Sequence, residues 1–147
     1  MYIVSACLLG ENVKYSGGNN FSEAVRDFLK DKEYIPVCPE VAGGLTVPRE
    51  PSERLGDRVI GKSGKDVTEA FHEGADQCLK CVLEKARPED IEGAILKSGS
   101  PSCGSGMIYD GSFRNVKIPG NGVFAELLMS RGIRVMTEQD TEEEIIR

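Results

Sequence analysis

Apolar residues in this chain come in short runs that stop at turn chemistry. Tyr2-Ile3-Val4-Ser5-Ala6 ends at Cys7, Tyr34-Ile35-Pro36-Val37 ends at Cys38-Pro39-Glu40, and Gly93-Ala94-Ile95-Leu96 ends in Lys97. Runs of this length, bounded by Gly, Pro or Ser, read as buried strands. Between them the apolar positions take the helical period. Ala24, Val25, Phe28 and Leu29 form one stripe over 22–31, with Asn20 or Ser22 as its cap. Phe71, Ala75, Leu79 and Val82 form a second stripe ahead of Pro88; it starts near Asp66, which with Glu69 matches a capping box. A third helix is expected over 123–131, with Gly132 just past its end. A last strand is expected over 133–136, and the acidic stretch 138–147 reads as a surface helix.

The connecting stretches carry their own signals. Residues 8–20 are rich in Gly and Asn and exceed the ~2–6 residues usual for a strand-to-helix connection, which marks a binding loop. Residues 39–65 are the least regular: Pro39, Pro48 and Pro51 argue against helix, and 49–54 is polar and charged. Residues 58–61 with Ser63-Gly64 suggest a small hairpin, and 107–111 a short strand and turn. The order of elements predicts an α/β fold over residues 1–147 as one domain. It is a three-layer open sheet, mostly parallel and Rossmann-like, with helices on both faces. In such sheets ligands bind outside the carboxyl ends of the strands, near a switch in strand order. Cys7 and Cys38 stand at two such ends. Cys103 sits in the loop after a third, inside Ser98-Gly99-Ser100-Pro101-Ser102-Cys103-Gly104-Ser105-Gly106. If the strands are parallel neighbours, the three cysteines converge.

Composition narrows the chemistry. Hydrophobic residues at 39% and charged residues at 29% of 147 fit a globular protein. No apolar run approaches the ~20 residues of a membrane span, and no basic leader or signal-cleavage pattern is present, so the cytoplasm is expected and a membrane partner is not. In that compartment five cysteines read as thiols or metal ligands before disulfides. A net charge of −6 argues against a nucleic-acid polymer as partner but leaves a single base or nucleotide open as substrate. His72 is the one histidine, so histidine-based metal sites and triads lack parts.

A free cysteine is often just a small buried hydrophobe. Three at equivalent strand ends, each beside Gly, Pro or Ser, instead suggest a metal or iron–sulfur site. Three thiolates suit zinc with a water, or three corners of a cubane cluster. Either way one position stays open, and an open position implies chemistry. Glu40, two residues past Cys38, is a candidate general acid or base, and Ser100 and Ser102 are candidates to bind a carbonyl or donate a proton. Their plainer readings are a solvated glutamate and turn serines. Lys14, Arg49 and Lys97 are candidate cations beside an anionic cluster or substrate. Asp110 reads as a turn residue. Cys78 and Cys81 form a C-x-x-C inside a helix, where packing explains them best.

These segments resemble the 2-thiouracil desulfurase family. The resemblance rests on Ser5-Ala6-Cys7-Leu8-Leu9-Gly10, on Pro36-Val37-Cys38-Pro39-Glu40 with Gly43-Gly44-Leu45 and Pro48-Arg49, and on Lys97 with Ser100 to Gly106 and Ile108-Tyr109-Asp110-Gly111. Asp66-Val67-Thr68 and Pro119-Gly120-Asn121-Gly122-Val123 also match. The resemblance implies a [4Fe-4S] cluster held by Cys7, Cys38 and Cys103 with one iron free. It implies non-redox removal of sulfur from a small thiocarbonyl compound such as a thiolated pyrimidine, with Glu40 as acid/base and Ser100 or Ser102 orienting the ring or relaying a proton. Gly99 stands where the family usually has arginine, Lys14 where it often does, and Cys78 and Cys81 lie outside its pattern. The alternatives are a non-catalytic iron–sulfur or zinc protein that senses or delivers sulfur or metal, and a small-molecule-binding α/β domain with buried thiols.

Overall fold

A computed structural model describes residues 1–146, with side-chain surroundings through residue 142. Four strands form the central sheet: β1 (Tyr2–Ser5), β2 (Tyr34–Val37), β5 (Gly93–Leu96) and β8 (Val135–Thr137). Their order is β2-β1-β5-β8, and all three pairings are parallel. The chain moves outward from β1 to β2, then returns to place β5 on the other side of β1. The order therefore reverses between β1 and β5, and a crevice opens there.

Residue alternation along the strands explains the layers. Ile3, Ala94 and Leu96 face one side with Phe71, Leu79 and Val82 of α3 (Thr68–Lys85) and Phe124 and Leu128 of α4 (Val123–Ser130). Val4 and Ile95 face the other, with Leu8, Val25 and Leu29. On that face α1 (Glu23–Phe28) packs beside α5 (Glu138–Ile146). Each fully buried Leu, Ile or Phe in these layers contributes ~1.5–3 kcal/mol of transfer free energy. The Ser22 hydroxyl caps α1 by accepting from Val25 N at 3.2 Å.

Several boundaries differ from the sequence reading. Cys7 lies past β1, in a 3₁₀ turn spanning Ala6–Leu9. Pro39 starts a helix rather than preventing one: it occupies the first turn of α2 (Pro39–Ala42), where its missing N–H costs nothing. The polar stretch at 52–55 is a strand. β3 (Ser52–Leu55) pairs with β4 (Arg58–Gly61) across a turn at Gly56-Asp57, so the hairpin lies upstream of Ser63-Gly64. β6 (Met107–Tyr109) pairs with an exposed β7 (Lys117–Pro119) that too little apolar content marked. The α3 start also shifts: Asp66 accepts from Thr68 N at 2.9 Å and pairs with Arg58, so its carboxylate closes a turn ahead of the helix. The first helix stops at Phe28 and the last strand begins at Val135. Among the described residues, no helix is long and apolar enough to cross a membrane.

Candidate active site

Two close backbone approaches fix the loops over the crevice. A Cβ on Gly74 of α3 would overlap the Pro39 carbonyl, and one on Gly43 would overlap the Ala70 carbonyl. Glycine at both positions lets α2 lie directly on α3, which sets Cys38 and Glu40 at the sheet edge. The Cys103 loop is held from α4. Val123 N donates to Pro101 O at 3.0 Å and Phe124 N to Ser102 O at 2.8 Å, so the loop's carbonyls satisfy the unpaired N–H groups of the helix N-terminus. Gly122 carries no Cβ because the Ser102 backbone occupies that space.

The result is a cavity of about 560 Å³ lined by Cys7, Cys38, Cys103, Glu40, Ser100 and Ser102, within the size range of small-molecule sites. All six predicted site residues therefore meet at one place. Lys14, Arg49 and Lys97 line it as well. Cys78 does not: it is buried in the α3 core layer, and Cys81 is exposed. His72 is exposed on α3, and Asp110 closes a turn by accepting from Ser112 N at 2.9 Å.

Glu40 is held at both oxygens. Arg49 Nε donates to Oε1 at 3.1 Å, in a pair that is 9% and 16% exposed. The same guanidinium donates to the Thr46 and Val13 carbonyls, which fastens the 8–20 loop to the site. Ser102 Oγ donates to Glu40 Oε2 at 2.9 Å and lies 3.0 Å from Ser100 Oγ. Ser100 Oγ already accepts from Ser102 N at 3.2 Å and Cys103 N at 3.0 Å. A hydroxyl has one proton and two lone pairs, so the Ser100 proton points to Ser102 and the Ser102 proton to Glu40. Three side chains thus form one directed hydrogen-bond chain.

A second polar group was not legible in the sequence. Lys97 Nζ lies 3.1 Å from Glu138 Oε2, and the Glu138 carboxylate accepts from Ser98 N at 2.7 Å and Ser98 Oγ at 3.0 Å. Glu138 had read as part of a surface helix. Its position just past β8, a fourth parallel strand end, is the signal that marked the cysteines. Ser5 Oγ, buried at the end of β1, accepts from Lys97 N at 3.0 Å. Gly99 has φ +74°, and a Cβ there would stand in ordinary contact with the Tyr109 ring at 3.5 Å and the Lys117 ammonium at 3.9 Å.

The three sulfurs suit an iron–sulfur cluster. Burial pushes each thiol up, Cys103 most strongly, and each has a nearby donor that favours sulfur anion. Asn20 Nδ2 donates to Cys7 Sγ at 3.4 Å, and Lys97 places a positive charge near that sulfur. The N–H groups of Val41 and Glu40 serve Cys38, and the Ser5 hydroxyl, whose oxygen accepts from Lys97 N, keeps its proton for Cys103. Donors around sulfur stabilise metal-bound thiolates and tune clusters. Three thiolates on one cavity can hold three corners of a cubane cluster.

An open parallel sheet whose switch point gathers three thiols and a hydrogen-bonded carboxylate defines a cofactor-holding α/β enzyme class. Residues 2–140 match the family model for 2-thiouracil desulfurase, and the chain belongs to that family. It is 40% identical over 150 residues to the uncharacterized protein YbbK of Bacillus subtilis (strain 168), covering 95% of this chain and 97% of that protein. Its fold is similar to the solved structure of a [4Fe-4S]-dependent thiouracil desulfidase, TudS. The TM-score is 0.85 at 44% identity, over 97% of this chain and 93% of that one. The fold expectation of a mostly parallel open α/β sheet is met.

Proposed function

We propose that this chain is a [4Fe-4S]-dependent desulfurase that converts the C=S group of a 2-thiouracil-type compound to C=O, releasing sulfide. The observation that carries the reading is the convergence of Cys7, Cys38 and Cys103 on the cavity that also holds the Ser100–Ser102–Glu40 chain. Residues 1–147 act as one desulfurase domain. Cys7, Cys38 and Cys103 hold the cluster. When bound, it supplies a Lewis-acidic iron free of protein thiolate, open to the thiocarbonyl sulfur.

The chain's own residues handle the proton and the water. The net change exchanges one sulfur for the oxygen of a water, whose two protons leave with sulfide. Glu40 takes a proton from the attacking water as general base, because its Oε2 already faces the cavity chain and Arg49 fixes Oε1. Once Glu40 holds the water's proton, the Ser102 and Ser100 hydroxyls linked to it reverse their donation and pass a proton to the departing group, or one of them orients the ring. Lys97, pinned by Glu138, keeps a positive charge where negative charge gathers on sulfur. Five free thiols suit a reducing compartment, and the reading places the enzyme in the cytoplasm, with a small molecule rather than a nucleic-acid polymer as substrate.

The test is direct. Anaerobically reconstituted protein is given 2-thiouracil, and uracil and sulfide are measured together. Equal yields of both, lost in Glu40→Gln with iron content retained, support the reading. An iron-loaded protein that forms neither product would overturn it.

A further inference from the structure

Part of the cavity lining comes from the β6–β7 connection, which neither the hydrogen-bond chain nor the cluster ligands use. Phe113 and Asn115 of this connection line the cavity. Both are non-glycine residues in the left-handed region, Phe113 at φ 60° and Asn115 at φ 61°. For a bulky aromatic residue that conformation is rare, and it persists only where surrounding contacts hold it.

Those contacts are present. Asp110 N donates to Val116 O at 2.9 Å, which closes the base of the loop. Glu53 of β3 reaches across and accepts from Gly111 N at 3.0 Å and from Phe113 N at 3.1 Å, both through Oε1. One carboxylate oxygen from a neighbouring hairpin therefore sets the backbone that aims Phe113. Phe113 is half-buried among the residues that line the cavity, and among the described residues neither a ring nor a cation lies against its ring. Tyr109, the other aromatic of that hairpin, already carries the Lys117 ammonium 5.4 Å from its ring centre. A held aromatic face without a partner, on the wall of a cavity, fits a planar π-system, because such faces attract one another in offset or edge arrangements.

We propose that Phe113 is a specificity-determining residue whose ring stacks on the planar heterocycle of the substrate, and that Glu53 is the positioning residue that holds it there. This rests on the thiopyrimidine reading given above. The consequence is selectivity for flat, conjugated thiocarbonyl compounds over open-chain ones such as thioacetamide.

The experiment measures equilibrium binding of uracil, the reaction product, to reconstituted wild type, Phe113→Leu and Phe113→Tyr by calorimetry, and kcat and KM for 2-thiouracil on the same samples. Phe113→Leu keeps the bulk and loses the aromatic face. It is expected to weaken uracil binding and raise KM about tenfold, equivalent to about 1.4 kcal/mol, with kcat within about twofold. Phe113→Tyr should restore both. Glu53→Gln, which keeps an acceptor but not its charge, should raise KM in the same direction by less. Equal binding in Phe113→Leu and wild type would overturn the inference while leaving the desulfurase reading intact. Phe113-dependent uracil binding without sulfide release would overturn the desulfurase reading and leave the stacking assignment standing. Failure of the wild type to bind uracil would overturn the stacking assignment.

Discussion

Glu40 and Ser102 lie 62 positions apart in sequence, yet Ser102 Oγ donates to Glu40 Oε2 at 2.9 Å. The contact joins the end of β2 to the loop after β5, across the strand β1 that carries Cys7 at its own end. Because Arg49 holds the other carboxylate oxygen, the geometry leaves Glu40 one direction in which to exchange a proton. Glu40→Gln is therefore expected to lower kcat about 10²–10⁴-fold with iron content unchanged. Arg49→Lys cannot serve Glu40 and two carbonyls through one planar fork, and should lose about tenfold. Equal kcat in wild type and Glu40→Gln would remove Glu40 from the mechanism.

The two glycine contacts make a stability prediction with a chemical consequence. Gly74→Ala pushes a methyl into the Pro39 carbonyl, and Gly122→Ala pushes one into the Ser102 backbone. Overpacking of this kind costs about 1–3 kcal/mol, a fall in Tm of roughly 3–10 °C. The shifts would propagate to Cys38 and Cys103 respectively, so cluster content after reconstitution should fall as well. A variant with unchanged Tm and full iron would contradict the role given to these approaches.

Those glycines also show what could be read without coordinates. The β-strand ends, the thiols and the loop serines were legible because each is a local pattern: an apolar run, then turn chemistry. Gly122 was legible only as part of a motif, since its reason is the backbone of Ser102, 20 positions away. Pro39 was misread because proline is tolerated in the first turn of a helix, and a four-residue helix has no period to detect. β3 was missed because its residues, Ser52-Glu53-Arg54-Leu55, are polar on a hairpin with little core to face. Glu138 lay in a stretch whose acidity resembled a solvated surface, and only the parallel placement of β8 turns it toward Lys97.

Glu138→Ala deprives the Lys97 ammonium and the Ser98 N–H of their shared acceptor. Breaking one side of this part-buried group is expected to cost about 1–3 kcal/mol. Glu138→Gln, which still accepts from Ser98 N, should lose about half as much. Chemical denaturation midpoints check both, and equal stability of Glu138→Ala and wild type would show that the contact contributes nothing.

The Cys78 thiol supplies a pH prediction outside the site. Burial, with the nearby Cys38 and Cys81 thiols adding to it, pushes Cys78 up to about 12. A group raised in the folded state adds stability below its unfolded value that is lost as pH rises toward the folded one. Between about pH 9 and pH 11 the unfolded thiol has shed a proton that the folded one keeps. Unfolding free energy then falls by up to about 1.4 kcal/mol per pH unit. Cys78→Ala lacks this slope. The stability gap between cluster-free wild type and Cys78→Ala, read from urea unfolding, should narrow over that range; a constant gap would contradict the shift.

The central claim is that Cys7, Cys38 and Cys103, and no other thiols, hold a four-iron cluster. Iron and inorganic sulfide per chain after anaerobic reconstitution test it most directly, measured for wild type and each Cys→Ser variant in turn. The account predicts about four of each in wild type, Cys78→Ser and Cys81→Ser, and loss of intact cluster in Cys7→Ser, Cys38→Ser and Cys103→Ser. Full occupancy in Cys103→Ser, or loss in Cys78→Ser of a protein that still folds, would contradict it.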